Sequence, residues 1–151
     1  MMRFSKLIST SLGIGYIGKG AGSVAAAVCC FAWYFIQIRG VSTPATFAAI
    51  VLLFFAGVWT ASVVEREWGK DHNRVVIDEV QGMCVSLFLI PVSWKFVILG
   101  FILFRFFDIT KPLFIRKAES LPAGWGVMMD DLLAGICSNV VLQLIVKSGL
   151  L

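Results

Sequence analysis

Ala45-Thr-Phe-Ala-Ala-Ile-Val-Leu-Leu-Phe-Phe-Ala-Gly-Val-Trp-Thr-Ala-Ser-Val-Val64 is a run of 20 residues without a charge. That is the length an α-helix needs to cross the ~30 Å hydrocarbon layer of a bilayer. Working outward, the turn Arg39-Gly-Val-Ser-Thr-Pro44 separates it from an apolar stretch at 21–38. Beyond the polar loop 65–74 come apolar stretches at 75–94 and 96–109, parted by Pro91 and Lys95, and after the loop 110–126 a last one at 127–146. The pattern predicts an all-α, polytopic helical membrane protein. It would have about five membrane-embedded helices, unless the third and fourth form a shallow re-entrant hairpin. The 151 residues suit one domain, 1–151.

Composition agrees. The chain is 59% hydrophobic with a mean hydropathy of +0.90, whereas a soluble domain is roughly half apolar and breaks its apolar runs with charge. The net charge of +4 suits basic loops facing anionic headgroups. Neither a solvated basic face nor a known module suggests nucleic acid as a partner. With Arg105, near the end of the fourth stretch, counted with the loop that follows it, Lys and Arg in the six segments that flank the stretches number three, one, three, one, four and one. This alternation predicts a cytoplasmic N-terminus and an outer C-terminus. Cys29, Cys30, Cys84 and Cys137 all fall in apolar segments without a Cys-x-x-Cys pair, as small hydrophobes would. Residues 1–6 are basic but no cleavage site follows, so the N-terminus is expected to be retained.

The acidic residues sit in or beside the two long polar loops. Asp78-Glu79 opens the third helix and Asp130-Asp131 the fifth. The macrodipole favours one such pair at a helix N-terminus. Two pairs beside a membrane are harder to desolvate and call for a partner such as Mg2+, a hard cation that takes carboxylate oxygens, water and phosphate. Gly82 and Gly135 each follow an acidic residue by four positions, on the same helix face, so the two acidic helix ends can approach closely. Arg105 and Asp108 share a face, and either pair internally or leave Arg105 to bind phosphate alongside Lys111. Gly18-Lys-Gly-Ala-Gly-Ser23 can present the backbone of Gly22 and Ser23 to an anion, or can be no more than a loose helix start.

Absences narrow the chemistry. Ile90 stands where a Cys-x5-Arg phosphatase would need arginine after Cys84, and His72 is the only histidine. There is no Asp-x-Asp element, no CDP-alcohol transferase signature and no Walker A loop. Carboxylate-held metal chemistry remains, with a divalent-cation transport protein as the rival from another class.

Four blocks resemble the phosphatidylglycerophosphatase A family in order: Gly20-Ala-Gly-Ser-Val24, Asp71-His-Asn-Arg-Val-Val-Ile-Asp-Glu-Val-Gln-Gly-Met83, Phe104-Arg-Phe-Phe-Asp-Ile-Thr-Lys-Pro112 and Gly124-Trp-Gly-Val-Met-Met-Asp-Asp-Leu-Leu-Ala-Gly135. The chain departs from the family pattern at Gly18-Lys19-Gly20, at Phe114 and at Glu119. The resemblance implies Mg2+-dependent hydrolysis of the terminal phosphate of phosphatidylglycerophosphate, a step of phospholipid synthesis. It implies a bacterial cytoplasmic (inner) membrane, with the site facing the cytoplasm. Phosphatase action on another membrane-bound phosphomonoester is the nearer alternative. Joined to the residue reading, it assigns Glu79, Asp130 and Asp131 to the metal, with Asp78 or Asp108 completing the set. Arg105, Lys111, Gly22 and Ser23 would contact the phosphate, and Asp71 or Asp78 would take the proton.

Overall fold

A computed structural model describes residues 1–70 and 72–150. Among these residues every regular element is helical: α1 (Met2–Ser9), a single 3-10 turn (Ile14–Ile17), α2 (Ala21–Gln37), α3 (Thr43–Trp68), α4 (Ile77–Leu87), α5 (Trp94–Thr110), α6 (Leu113–Ala118) and α7 (Gly124–Ser148). Local signals explain most boundaries. Pro44 sits in the first turn of α3, where its missing N–H is harmless. Ser93 caps α5 by accepting from the Phe96 amide. At the far end of α5, Lys111 precedes Pro112, leaves the helical region at φ 40° and donates its amide to Phe107 O.

The structure corrects the sequence reading in four places. The third apolar stretch is helical only over α4, 11 residues or about 16 Å. Phe88 is extended and Leu89 lies at φ 61°, ahead of Pro91. Carbonyls freed inside an apolar layer need donors. α7 supplies them: Asn139 Nδ2 donates to Ser86 O (3.0 Å) and Phe88 O (2.7 Å), and Gln143 Nε2 to Leu89 O (3.2 Å). The second correction is that α7 begins at Gly124, not at Val127, which sets Asp130 and Asp131 two turns inside the helix. Third and fourth, α1 and α6 are helices where the sequence suggested a basic N-terminal segment and a polar loop. Both are too short for an apolar period to declare itself.

α4 is central and packs on α7, α2, α5 and α3. Its closest crossing is with α7, at the two glycines the spacing singled out. A Cβ on Gly82 would lie 2.6 Å from Asp131 O, and one on Gly135 would run into Gly82 O. Phe104 of α5, fully buried, closes over the same crossing. α3 joins α7 where the Gly124 amide donates to Ser62 Oγ (3.0 Å) and Gly57 takes the Met128 side chain. At the opposite end Tyr34 of α2 stacks on Trp94 of α5 with ring centroids 4.1 Å apart. The N-terminal segment is pinned at two points: Val76 N, just before α4, donates to Ser9 O (2.9 Å), and Lys6 pairs with Glu67 at the end of α3.

The outward faces of α2, α3, α5 and α7 are lined with exposed Phe31, Phe35, Leu52, Phe55, Ile98, Ile102, Val140 and Leu144. An apolar belt of that extent marks a surface for a membrane or a protein partner. Among the described residues two helices, α3 and α7, are long and apolar enough to cross a membrane, and α2 is a shorter apolar helix.

Candidate active site

The chain direction brings five helix ends to one level. α2, α4 and α7 start there, while α3 and α5 finish there. The contacts Gly22–Glu79, Ser62–Gly124 and Lys111–Asp130 record it. At this level Asp78, Glu79 and Asp131 each offer a carboxylate oxygen, and the three oxygens lie within 4.8 Å of one another. Asp78 and Asp131 are buried. Asp78 Oδ1, Glu79 Oε2 and Asp131 Oδ2 are shielded from solvent and have no hydrogen-bond partner among the described residues.

Three converging carboxylates, each with a shielded oxygen that has no donor among the described residues, repel one another, and desolvation adds to the penalty. A hard divalent cation relieves both, so the residues present fit Mg2+. The α2 backbone leaves room for this arrangement, because a Cβ on Gly22 would occupy the space of Glu79 Oε1. Gly20, at φ 85°, turns the chain into α2 with no side-chain cap, so the positive end of that helix, with the Gly22 and Ser23 amides in its first turn, faces the Glu79 carboxylate. For Asp130 and Asp131 the macrodipole is no longer an explanation. They lie beyond the first turn of α7, where that field has faded.

The structure groups the expected site residues differently from the sequence reading. Asp78 stands with Glu79 and Asp131. Asp130 turns instead to Lys111, whose Nζ donates to Asp130 Oδ2 (2.7 Å) and to Glu119. Burial alone would push the Lys111 ammonium down, but these two carboxylates more than offset it and hold it above the ordinary lysine value. Arg105 Nη1 donates to Asp108 Oδ2, while Arg105 Nε is buried without a partner among the described residues. Arg105 and Asp108 both lie near enough to Glu79 to act on it, and Asp108 also reaches Asp131. Asp71 lies outside the described residues. The role of Glu119 as a second partner of Lys111 was not foreseen, although its spacing of eight from Lys111 across a Pro-initiated turn allows the chain to fold back. A cavity of about 320 Å³ borders the site, lined by Lys70, Glu119, Gly126, Val127 and Asp130.

Comparison with known proteins decides the family. The phosphatidylglycerophosphatase A family model matches residues 7–146. This chain belongs to the phosphatidylglycerophosphatase A family. A protein of Bacteroides thetaiotaomicron named "Putative phosphatidylinositol-3-phosphatase" is 40% identical over 142 residues, covering 90% of this chain and 89% of that protein. The phosphatidylglycerophosphatase A of Haemophilus influenzae is 38% identical over 70% of this chain and 66% of its own length. That of Escherichia coli is 34% identical over 64% of this chain and 58% of its own length. No solved structure matches. The family is one of phosphatases, so the chain is an enzyme that hydrolyses phosphoric monoesters. All the carboxylates, Arg105 and Lys111 lie within the matched span.

Proposed function

We propose that this protein removes the terminal phosphate from phosphatidylglycerophosphate, giving phosphatidylglycerol, with Mg2+ held by Asp78, Glu79 and Asp131. The observation that carries the reading is the cluster of three carboxylate oxygens within 4.8 Å, each residue with an oxygen lacking a donor. Bound there, Mg2+ would polarise the phosphate and lower the pKa of a coordinated water.

The remaining steps belong to side chains. Arg105 has spent one nitrogen on Asp108, and its buried, unpartnered Nε is the donor offered to a phosphoryl oxygen. A charge-assisted contact of that kind strengthens as charge develops in the transition state. Asp108, fixed by Arg105 beside Glu79 and Asp131, takes the proton that hydrolysis releases. Lys111 contributes positive charge near the phosphate while holding Asp130 and the segment around Glu119 in place. The Gly22 and Ser23 amides add backbone donors at the start of α2.

The setting follows from charge and length. Five passes, with α4 and its extended continuation counting as one, would put the site end among the basic loops, at the cytoplasmic face of a bacterial inner membrane. The neighbouring 320 Å³ cavity would then receive the polar headgroup. A second reading, a phosphoinositide 3-phosphate as substrate, is favoured by the name of the Bacteroides relative. Phosphate release from a panel of lipid phosphomonoesters, by purified protein in detergent with Mg2+ and with chelator, separates the two. Preference for phosphatidylglycerophosphate supports the first reading, and preference for the inositol lipid replaces it with the second.

A further inference from the structure

A groove of about 520 Å³ runs between α2 and α3, which meet at the end away from the site, with α4 as its floor. Its α2 wall is Ala25, Cys29, Ala32 and Ile36, the face that begins one turn earlier at Gly22 against Glu79. Its floor is Ile77 and Val80, which bracket Asp78 and Glu79 in the sequence. The far end is closed where Gln37 Nε2 donates to Thr46 Oγ1 (3.0 Å). The other end lies one helical turn from the contact of Gly22 with Glu79, and there Ile8, Ser11, Leu12 and Ile14 of the N-terminal segment also line it.

We infer that this groove holds one acyl chain of the lipid whose phosphate is hydrolysed, and that it sets the position of that phosphate at the carboxylates. The inference rests on the phosphatase reading above. Three features favour an acyl chain as occupant. The walls are apolar, with the small residues Ala25, Ala32, Ala45 and Ala49 among them. At roughly 30 Å³ per methylene, about a water's share of liquid volume, 520 Å³ takes a single chain of on the order of sixteen carbons. From Ala25 to Gln37 the groove follows α2 for about 18 Å, the depth of one leaflet or slightly more.

The gain is geometric. Lipid tails are as apolar as the groove, so moving a chain from bilayer to groove releases little free energy. What the groove supplies is register, since a phosphate misplaced by about 1 Å can react 10²-fold more slowly. Short-chain substrates, which can approach the site without entering the groove, depend on it less.

Ala32 and Ala49 face the groove from opposite walls and are exposed, so phenylalanine at both fills it without displacing buried core. The test compares kcat/KM for a lipid phosphomonoester with two eighteen-carbon chains against its dihexanoyl counterpart, in the same detergent. The Ala32→Phe/Ala49→Phe protein should show a long-to-short ratio at least about tenfold below wild type. Leu52→Phe, which adds bulk to the outer face of α3, should leave the ratio unchanged. If the double variant does not fold, Ala49→Leu reads the same ratio with a smaller expected fall. A ratio within twofold of wild type overturns the inference and means that bulk lipid covers the groove. A wild-type protein inert towards every lipid phosphomonoester, long or short, sinks the phosphatase reading instead.

Discussion

Gly22→Ala is the smallest change that reaches the carboxylate cluster. The added Cβ would fall on Glu79 Oε1 and lie 2.7 Å from Glu79 Cδ, where ordinary contact begins near 3.4 Å. The carboxyl carbon must therefore retreat by at least about 0.7 Å, and the oxygen it carries by more. The obstacle is the far end of a flexible side chain, so the helix backbone need not move and folding should survive. A displacement of that size is enough to lower turnover by about 10²-fold, close to 3 kcal/mol in the barrier. It should also raise the Mg2+ concentration giving half-maximal activity, because one carboxylate no longer points at the ion. Gly135→Ala is the control, since its Cβ meets the Gly82 backbone. It should lower the melting temperature through an overpacked crossing worth about 1–3 kcal/mol. The assay is phosphate release against free Mg2+, with thermal melting in detergent for each variant. Wild-type turnover and an unchanged Mg2+ curve for Gly22→Ala would refute the packing of Glu79 against α2 and its part in the site.

Three further outcomes are expected. Arg105→Ala should reduce kcat/KM by about 10²-fold or more with little change in the Mg2+ requirement, and Arg105→Lys should recover little because a point charge cannot reproduce the fork; normal kinetics in Arg105→Ala would remove it from the phosphate. Asn139→Ala strips the donor from two carbonyls at the end of α4 and should destabilise the fold by about 1–2 kcal/mol in detergent melts, whereas an unchanged melt would mean that water reaches those carbonyls. In a background lacking the native cysteines, cysteine placed at Lys70 or Lys117 should label only from the cytoplasm and at Lys147 only from outside, and labelling of all three from one side would rule out five passes.

Much of this arrangement was legible in the sequence because it depends on local rules. The charge-free run before Val64, the Lys111-Pro112 stop and the paired glycines Gly82 and Gly135 follow from length, backbone sterics and side-chain size. The convergence of Asp131 with Asp78 and Glu79 follows from those glycines once the two helices are recognised as neighbours. The end of α4 was hidden because its cause lies about fifty residues away. Residues 75–94 read as one apolar stretch, and only the amides of Asn139 and Gln143 on α7 make a break at Phe88 tolerable. The partition of the carboxylates was hidden for a similar reason. Adjacent residues of α7 point about 100° apart, so Asp130 meets Lys111 while Asp131 stays with the α4 pair. No periodicity in either segment encodes which of two adjacent aspartates faces which neighbour.

The central claim, that Asp78, Glu79 and Asp131 hold the ion on which lipid dephosphorylation depends, is tested most directly by one titration. Phosphate release from phosphatidylglycerophosphate is measured against free Mg2+ for the wild type and for Asp131→Asn, which keeps the side chain's size and removes its charge. The account predicts a wild-type curve that saturates with Mg2+ and falls to baseline in chelator. For Asp131→Asn it predicts a curve shifted to at least about tenfold higher Mg2+ with a lowered plateau, the effect of roughly 1.4 kcal/mol or more in ion binding. Full wild-type activity in chelator, or an Asp131→Asn curve that overlays the wild type, would contradict it.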